Sequence, residues 1–326
     1  MPLPHPAVGA VVITDDLDEG IACFKIVTES ATYFYDKAGA GFTSILDRDG
    51  IDWINFHPEG TPGVPDGQWG WFRGIPNMAR GAFGHPGYTG ATSTTADPKG
   101  VPLPVATVRS SKDGWQVTWE FYPSYAKMTV LSAPARYWLL YEGTPGGELG
   151  SDDLCGRSDG RVASCSIAWQ EDIVNNSGVA TGMEWVYFAD GTLERSLVLL
   201  HDDDDVTDCY RRMDGMTVFG FGRAHRSPIG QRSLLWRVME GVRGSLGLAK
   251  ASSGLLDRVP ANLIIGLVEA RDFEVVKAGI DAIYQEATNP GSERAKHEIA
   301  GDGNSSGPEP LRCVVPELPR KFMSRQ

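Results

Sequence analysis

Apolar and polar residues alternate along many short segments of this chain, and turn-forming residues separate the segments. The clearest alternation places Trp115, Val117, Trp119 and Phe121 on one face, with polar residues between them. A period of two indicates a half-buried β-strand. Comparable runs rich in β-branched and aromatic residues predict further strands. They cover residues 21–35 (two strands joined near residues 29–30), 42–46, 52–56, 105–110, 135–142, 163–169, 184–188, 193–200, 216–222 and 261–269.

Two local signals complete the predicted fold. An Asp-Arg-Asp-Gly turn at residues 47–50 joins the strands at 42–46 and 52–56 into a hairpin. Residues 273–287 carry apolar side chains at helical spacing. The sequence therefore predicts an all-β protein, a large antiparallel β-sandwich (supersandwich-like) with a C-terminal helix. We assign residues 1–287 to a single domain and residues 288–326, rich in Gly, Ser, Pro and charge, to a disordered tail.

Residues 57–104 form a long segment without clear periodicity inside this predicted domain. Residues 69–88 read WGWFRGIPNMARGAFGHPGY, so aromatic rings alternate with Arg, Asn, His and many glycines. Nearly fifty such residues predict an ordered functional loop system, since disordered segments contain few aromatic residues. Aromatic rings can stack on the C–H faces of a sugar, and Arg can bind a carboxylate through two hydrogen bonds. The alternative is a loop whose aromatic rings only cover the core.

Composition restricts the classes of partner. The chain has 30 basic and 42 acidic residues, a net charge of −12, which argues against nucleic-acid binding. The start lacks the pattern of a secretion signal and no long apolar run occurs, so the sequence as written predicts a soluble, cytoplasmic protein without membrane partners, and the true compartment is left open. The five cysteines lack Cys-x-x-Cys spacing, which favours reduced thiols, although Cys155 and Cys165 could pair under oxidising conditions.

The segment GAGFTSILDRDGIDWI resembles the first hairpin of the galactose mutarotase-like group. The segments WFRGIPN, YEGTPGG and MTVFGFGR are similar to uncharacterised bacterial carbohydrate-utilisation proteins. The resemblance extends over about residues 20–287. It implies a β-supersandwich and sugar chemistry, because this fold occurs in aldose epimerases, polysaccharide lyases and glycoside hydrolases. Aldose epimerases use a His acid and a Glu base from late strands; here the late strands offer His201, and no Glu aligns clearly.

Five residues are predicted to bind substrate. Arg73, held between aromatic residues and a Gly-Ile-Pro turn, is the first candidate to bind a sugar carboxylate, with packing on Trp71 as the alternative. Asn77 could share that carboxylate or serve as a turn residue. Trp71, Tyr88 and Arg136 complete this set.

Five other residues are candidates for proton transfer. His57 and His85 lie in loops from which an imidazole can reach a cleft, and His201 ends an apolar strand. Tyr141 could protonate a leaving oxygen, and Glu142, at the end of the strand at 135–142, could act as acid or base. Each also has a structural interpretation, as a core or strand-end residue.

The favoured hypothesis is a lyase that cleaves a uronic-acid-containing oligo- or polysaccharide by β-elimination. In that reaction Arg73 and Asn77 neutralise the carboxylate and His85 or His57 removes the C5 proton. The alternatives are an aldose epimerase with a His–carboxylate pair, a glycoside hydrolase with two carboxylates, and a non-catalytic glycan-binding protein. No cofactor is predicted, except that residues 202–205 (DDDD) could bind Ca²⁺ instead of forming a solvated acidic turn. The oligomeric state is left open.

Overall fold

The computed structural model describes residues 9–59, 73–78, 83–174, 183–203, 208–213, 215–222 and 255–289. The chain divides after Ala287 into two units, and the first, Met1–Ala287, contains all of the strands given below. The predicted tail at 288–326 lies almost wholly outside the described residues. Among the residues that are described, no helix has the length and apolar character needed to cross a bilayer.

Strands dominate the described part of the chain. In chain order they are β1 (Val12–Asp18), β2 (Ile21–Val27), β3 (Ala31–Asp36), β4 (Phe42–Asp47), β5 (Thr92–Thr94), β6 (Ala106–Lys112), β7 (Trp115–Phe121), β8 (Tyr125–Ser132), β9 (Leu139–Gly143), β10 (Leu154–Arg157), β11 (Val162–Ser164), β12 (Trp169–Glu171), β13 (Glu184–Ala189), β14 (Ser196–His201), β15 (Asp208–Met213), β16 (Met216–Phe221) and β17 (Ala261–Val268). Helix α1 (Phe273–Thr288) follows β17. The predicted all-β sandwich with a C-terminal helix is confirmed.

The described strands form three antiparallel sheets. The first is the meander β1-β2-β3-β4, the second has the order β11-β10-β13-β14-β17-β8-β7-β6-β5, and the third has the order β12-β15-β16-β9. Aromatic side chains join the sheets. The ring of Phe42 in the first sheet meets Trp119 in the second edge to face, with 4.7 Å between centroids. These rings belong to one large apolar core.

A smaller core lies on the other face of the second sheet. Alternate residues of β13 supply its Trp185 and Tyr187, and helix α1 covers them with Val276, Ile280 and Ile283. The helix is amphipathic: of the apolar residues whose spacing predicted it, Val276, Ile280 and Ile283 are buried, whereas Val275 is 55% exposed. Strand β13 therefore has one apolar face in each core, which explains why all six of its residues are buried.

The predicted hairpin after residue 47 is only half correct. Strand β4 and the turn form, but residues 52–56 make a single bridge, Leu46 to Asp52, instead of a strand. The Asp52 carboxylate accepts hydrogen bonds from the backbone N–H groups of Ile45, Ile54 and Asn55, at 3.1, 3.0 and 2.9 Å. These bonds replace the ladder bonds that a second strand would make, and Asn55 takes a φ of 57°.

Other boundaries differ where side chains gave a weak signal. Strands β1 and β15, which carry several charged residues, were not predicted, and neither was β10. The predicted strand at 135–142 begins at Leu139, and the loop system at 57–104 contains the short strand β5. Strand propensity is low for acidic residues, so pairing with neighbours decides these elements.

Candidate functional site

Arg73, Asn77, Glu142 and Thr144 form a buried polar group that we call the Arg73 cluster. The segment at residues 73–78 pairs with β9 through two backbone hydrogen bonds between Gly74 and Glu142, of 2.7 and 2.9 Å. Gly74 has a φ of 143°, and a Cβ there would lie 2.5 Å from Cδ of Pro86. The close approach of these backbones places the side chains of the cluster together.

The members of the Arg73 cluster bind one another. Arg73 Nη1 donates to Thr144 Oγ1 at 2.8 Å and to the Ile54 carbonyl at 3.5 Å. Asn77 Nδ2 donates to Glu142 Oε2. Burial lowers the pKa of Arg73, and the nearby Tyr141, Asp52 and Glu142 act in the opposite direction. Three predicted residues, Arg73, Asn77 and Glu142, thus meet, and the hydrogen bonds described above join Arg73 and Asn77 to other groups of the protein.

Asp52 lies beside this cluster and was not among the predicted residues. Burial raises the pKa of its carboxyl group to about 6, while three backbone donors oppose that rise. A carboxyl group with this pKa exchanges its proton near neutral pH, as a general acid or base requires. In the sequence, Asp52 stands in a run typical of a strand, which hid it.

Tyr141 and His85 are buried next to the same segment. The Tyr141 hydroxyl donates to the Trp53 carbonyl at 2.6 Å. His85 Nδ1 lies 2.7 Å from the Pro86 carbonyl oxygen, and burial lowers the pKa of the imidazole to about 4. The half-exposed ring of Tyr88 packs edge-on against it, with 4.5 Å between centroids. Their catalytic and binding roles stay predictions.

The remaining predicted residues of this set lie elsewhere or are not described. His57 is half-buried after the Asp52 turn. Arg136 is exposed, with its Nη2 3.4 Å from Asp257 Oδ2. Trp71, predicted to stack on a sugar, lies outside the described residues, as does most of the aromatic stretch before Arg73.

Asp172, Glu184, His201 and Asp208 form a second buried group, the His201 cluster. Glu184 begins β13 and His201 ends β14, so the two residues are register partners on neighbouring strands of the second sheet. Glu184 Oε1 lies 3.1 Å from His201 Nδ1, and the Asp203 carbonyl oxygen lies 2.9 Å from the same nitrogen. Glu184 and His201 are 0% and 1% exposed. A His–carboxylate pair is therefore built into the core at the end of two strands.

The third sheet supplies the other members of the His201 cluster. Asp208 begins β15, and Asp172 directly follows β12. One ligand oxygen from each of Asp172, Glu184 and Asp208 lies within 4.8 Å of the others. The ring of Phe221, on β16, stacks on the His201 imidazole with 5.4 Å between centroids. These three carboxylates are the group of described residues whose geometry fits a cation.

The acidic run after His201 is engaged in protein contacts where it is described. Asp202 accepts hydrogen bonds from the backbone N–H and the side-chain amide of Asn262. Asp203 forms an ion pair with Arg258 at 2.9 Å. Residues 204–207 lie outside the described residues, so a calcium site here stays a prediction. Cys155 and Cys165 are both buried free thiols.

The sequence patterns predicted His201 as a site residue but did not identify Glu184 as its partner. Each residue is the polar terminus of an otherwise apolar strand, EWVYFA and SLVLLH. If those strands pair as antiparallel neighbours, their polar ends meet. This signal could have found the pair from the sequence.

Comparisons with known proteins give structural matches at low identity. No protein family model and no curated protein sequence matches the chain. The crystal structure of HI1317 matches with a TM-score of 0.43 and 9% identity, over 79% of this chain and 99% of that chain. YeaD of Salmonella typhimurium, described as a proposed mutarotase, matches with a TM-score of 0.39 and 8% identity, over 82% and 96%.

A third solved structure is a TPR-domain-containing protein from Parabacteroides distasonis. It matches with a TM-score of 0.37 and 9% identity, over 77% of this chain and 48% of that chain. TM-scores this low carry no conclusion about function. The resemblance to the galactose mutarotase-like group accordingly stays a prediction.

Proposed function

We propose that this chain is a carbohydrate-active enzyme of the aldose epimerase type, with the His201 cluster as its acid–base centre. The observation that carries the proposal is the 3.1 Å contact between His201 Nδ1 and Glu184 Oε1. The sequence resemblance to aldose epimerases implies a His acid and a Glu base on late strands; β14 supplies the His, and in this proposal Asp172 takes the place of the Glu base while Glu184 holds the imidazole. For β-elimination at Arg73 and Asn77, the described residues show no comparable contact between an imidazole and a carboxylate.

The reaction follows from the chemistry of a hemiacetal. A carboxylate of the cluster removes the proton of the anomeric hydroxyl while the imidazolium of His201 protonates the ring oxygen. The C1–O5 bond breaks to give the open-chain aldehyde, and the reverse steps close the ring on either face. Glu184 orients the imidazole through its contact with Nδ1. Asp172, the half-buried acid of the cluster, is the proposed base.

The test is the rate of exchange between α and β anomers, measured by proton NMR over a panel of aldoses. We expect the protein to accelerate exchange for at least one aldose. His201→Gln and Glu184→Gln should lower that acceleration by about 100-fold or more, the usual size of general acid–base catalysis. Glu120→Gln is the matched control: it makes the same Glu-to-Gln change on strand β7, where Glu120 is the register partner of Lys127 on β8.

Two results would contradict the proposal. One is the absence of acceleration for every aldose. The other is unchanged activity in both His201→Gln and Glu184→Gln. Uronate-containing polysaccharides should be tested in parallel for the conjugated double bond that only elimination leaves. Formation of that bond, abolished by Arg73→Ala, would establish the lyase instead.

A further inference from the structure

A shallow groove lies at the start of helix α1, on the opposite face of the second sheet from the His201 cluster. Its volume is about 400 Å³, and its walls are Leu154, Val162, Tyr187, Arg271, Asp272 and Phe273. Successive residues of a strand point to opposite faces, so Tyr187 and Glu184 lie on different sides of β13. Tyr187 indeed belongs to the core beneath α1, with Trp185. The groove is therefore separate from the proposed acid–base centre.

The floor of the groove holds a buried hydroxyl group. Tyr187 is 0% exposed, and among the described residues its hydroxyl has no hydrogen-bond partner. Its ring lies directly over Gly156 on β10, where a Cβ would come within 2.0 Å of Tyr187 Cε1. The ring position is thus fixed by the backbone beneath it. Buried hydroxyl groups in proteins normally have a partner, so this one retains the capacity to bond to a polar ligand atom.

The walls of the groove are aromatic and aliphatic. Phe273 is half-buried and packs against Trp185 and Tyr187, with 5.8 and 6.3 Å between ring centroids. Val162, on the edge strand β11, is 44% exposed. A half-exposed aromatic ring beside an exposed aliphatic side chain offers the flat apolar surface on which the C–H face of a sugar ring stacks.

The rim of the groove carries one positively and one negatively charged side chain, Arg271 and Asp272. Arg271 Nη1 donates to the Gly191 carbonyl at 2.6 Å, which fixes the position of the guanidinium without neutralising its positive charge. Asp272 Oδ1 accepts the backbone N–H groups of Glu274 and Val275 in the first turn of α1, at 3.1 and 3.3 Å. Asp272 nevertheless remains exposed. Burial raises the pKa of the Tyr187 hydroxyl to about 12, and the negative charge of Asp272 adds to that rise.

We propose that this groove is a non-catalytic binding site for a neutral sugar unit. The apolar face of the sugar stacks on Phe273 and Val162, and its hydroxyl groups bond to the Asp272 carboxylate and, after a small shift of the partly buried Phe273 ring uncovers it, to the Tyr187 hydroxyl. The exposed carboxylate favours a ligand rich in hydroxyl donors, and the adjacent charges of Asp272 and Arg271 offset each other, so the rim favours a neutral ligand over an anionic one. The site acts independently of the proposed catalysis, because it faces the other side of the sheet.

The experiment uses the full chain and methyl glycosides of neutral hexoses and pentoses, which cannot open their rings. Binding is followed by saturation-transfer NMR and by tryptophan fluorescence, to which Trp185, in contact with Tyr187 and Phe273, contributes. Phe273→Ala should weaken binding by about tenfold or more and Tyr187→Phe by several-fold. Val275→Ala, an exposed position on the same helix, is the matched control and should bind as the original chain does.

Tyr187→Phe also separates binding from stability. It removes a hydroxyl group without a described partner, so its thermal midpoint should not fall while its affinity does. The proposal is overturned if no neutral glycoside binds, if Phe273→Ala and Tyr187→Phe bind unchanged, or if methyl glucuronide binds more tightly than the neutral glycosides. His201→Gln should bind normally, so loss of anomer exchange in that variant leaves this proposal standing.

Discussion

Glu184 and His201 face each other across two adjacent antiparallel strands, with 3.1 Å between Oε1 and Nδ1 and almost no exposure of either side chain. A buried pair of this kind is coupled energetically, because removal of one partner leaves the other desolvated. A double-mutant cycle of Glu184→Ala and His201→Ala should therefore show a coupling free energy of about 0.5–3 kcal/mol. Urea unfolding of the four proteins measures it. Additive losses would show that the pair contributes no interaction of its own.

Asp52 should make the folded protein less stable as the pH rises, whereas His85 should make it less stable as the pH falls. The pKa of Asp52 rises from 3.8 to about 6 on folding, so the folded state binds the extra proton. The free energy of unfolding should therefore fall by up to about 3 kcal/mol as the pH rises from about 4 to 6 and the buried Asp52 carboxyl group loses its proton. In Asp52→Asn this loss should disappear. Unfolding free energies of both proteins across that range test the prediction, and equal slopes would contradict it.

The imidazole of His85 has the opposite sign. Its pKa falls from 6.5 to about 4 on folding, so the unfolded state binds more protons in that range. The stability it contributes is present above pH 6.5 and is lost as the pH falls toward 4, by up to about 3 kcal/mol. His85→Gln should remove this loss. An NMR titration of the original chain should place the midpoint of His85 near pH 4; a midpoint near 6.5 would refute the prediction.

Arg195 ties the first sheet to the second through a buried ion pair. Its guanidinium donates to Asp47, whose side chain is 0% exposed, and also to Asp49 and Glu269. Arg195→Met would leave the Asp47 carboxylate buried without its cation and should lower the free energy of unfolding by about 3–5 kcal/mol. Arg161→Met is the matched control, because Arg161 is 53% exposed in its ion pairs. That control should cost about 0–1 kcal/mol in the same denaturation measurement.

The fold could be predicted as far as local periodicity reaches. The alternation at Trp115 and Trp119 and the helical spacing at Val276 and Ile280 each fix which face is buried, and both predictions are confirmed. Asp52 broke the predicted hairpin because a carboxylate can bind three backbone N–H groups, which no hydrophobic pattern reports.

The site was harder to predict than the fold, because it depends on strand pairing between distant segments. Arg73 and Glu142 were each named from local patterns, but their proximity arises from a bridge between residues 73–78 and β9. His201 was named without Glu184 as its partner, since their contact depends on the register of β13 and β14. Register is set by tertiary packing, which single-segment patterns do not contain.

Gly156 should be intolerant of any side chain, because the Tyr187 ring occupies the space above it. A Cβ at this position would lie 2.0 Å from Cε1 and 2.7 Å from the hydroxyl oxygen. Gly156→Ala should force the ring to move and lower the free energy of unfolding by about 1–3 kcal/mol. Gly160→Ala is the control in the neighbouring turn: nothing lies within 4 Å of its Cβ, although its φ of 88° adds backbone strain. Chemical denaturation of both variants compares the two losses of unfolding free energy.

The displaced ring forms the floor of the groove, so Gly156→Ala should also weaken glycoside binding, whereas Gly160→Ala should not. Equal binding by both variants would show that the ring position does not matter to the groove.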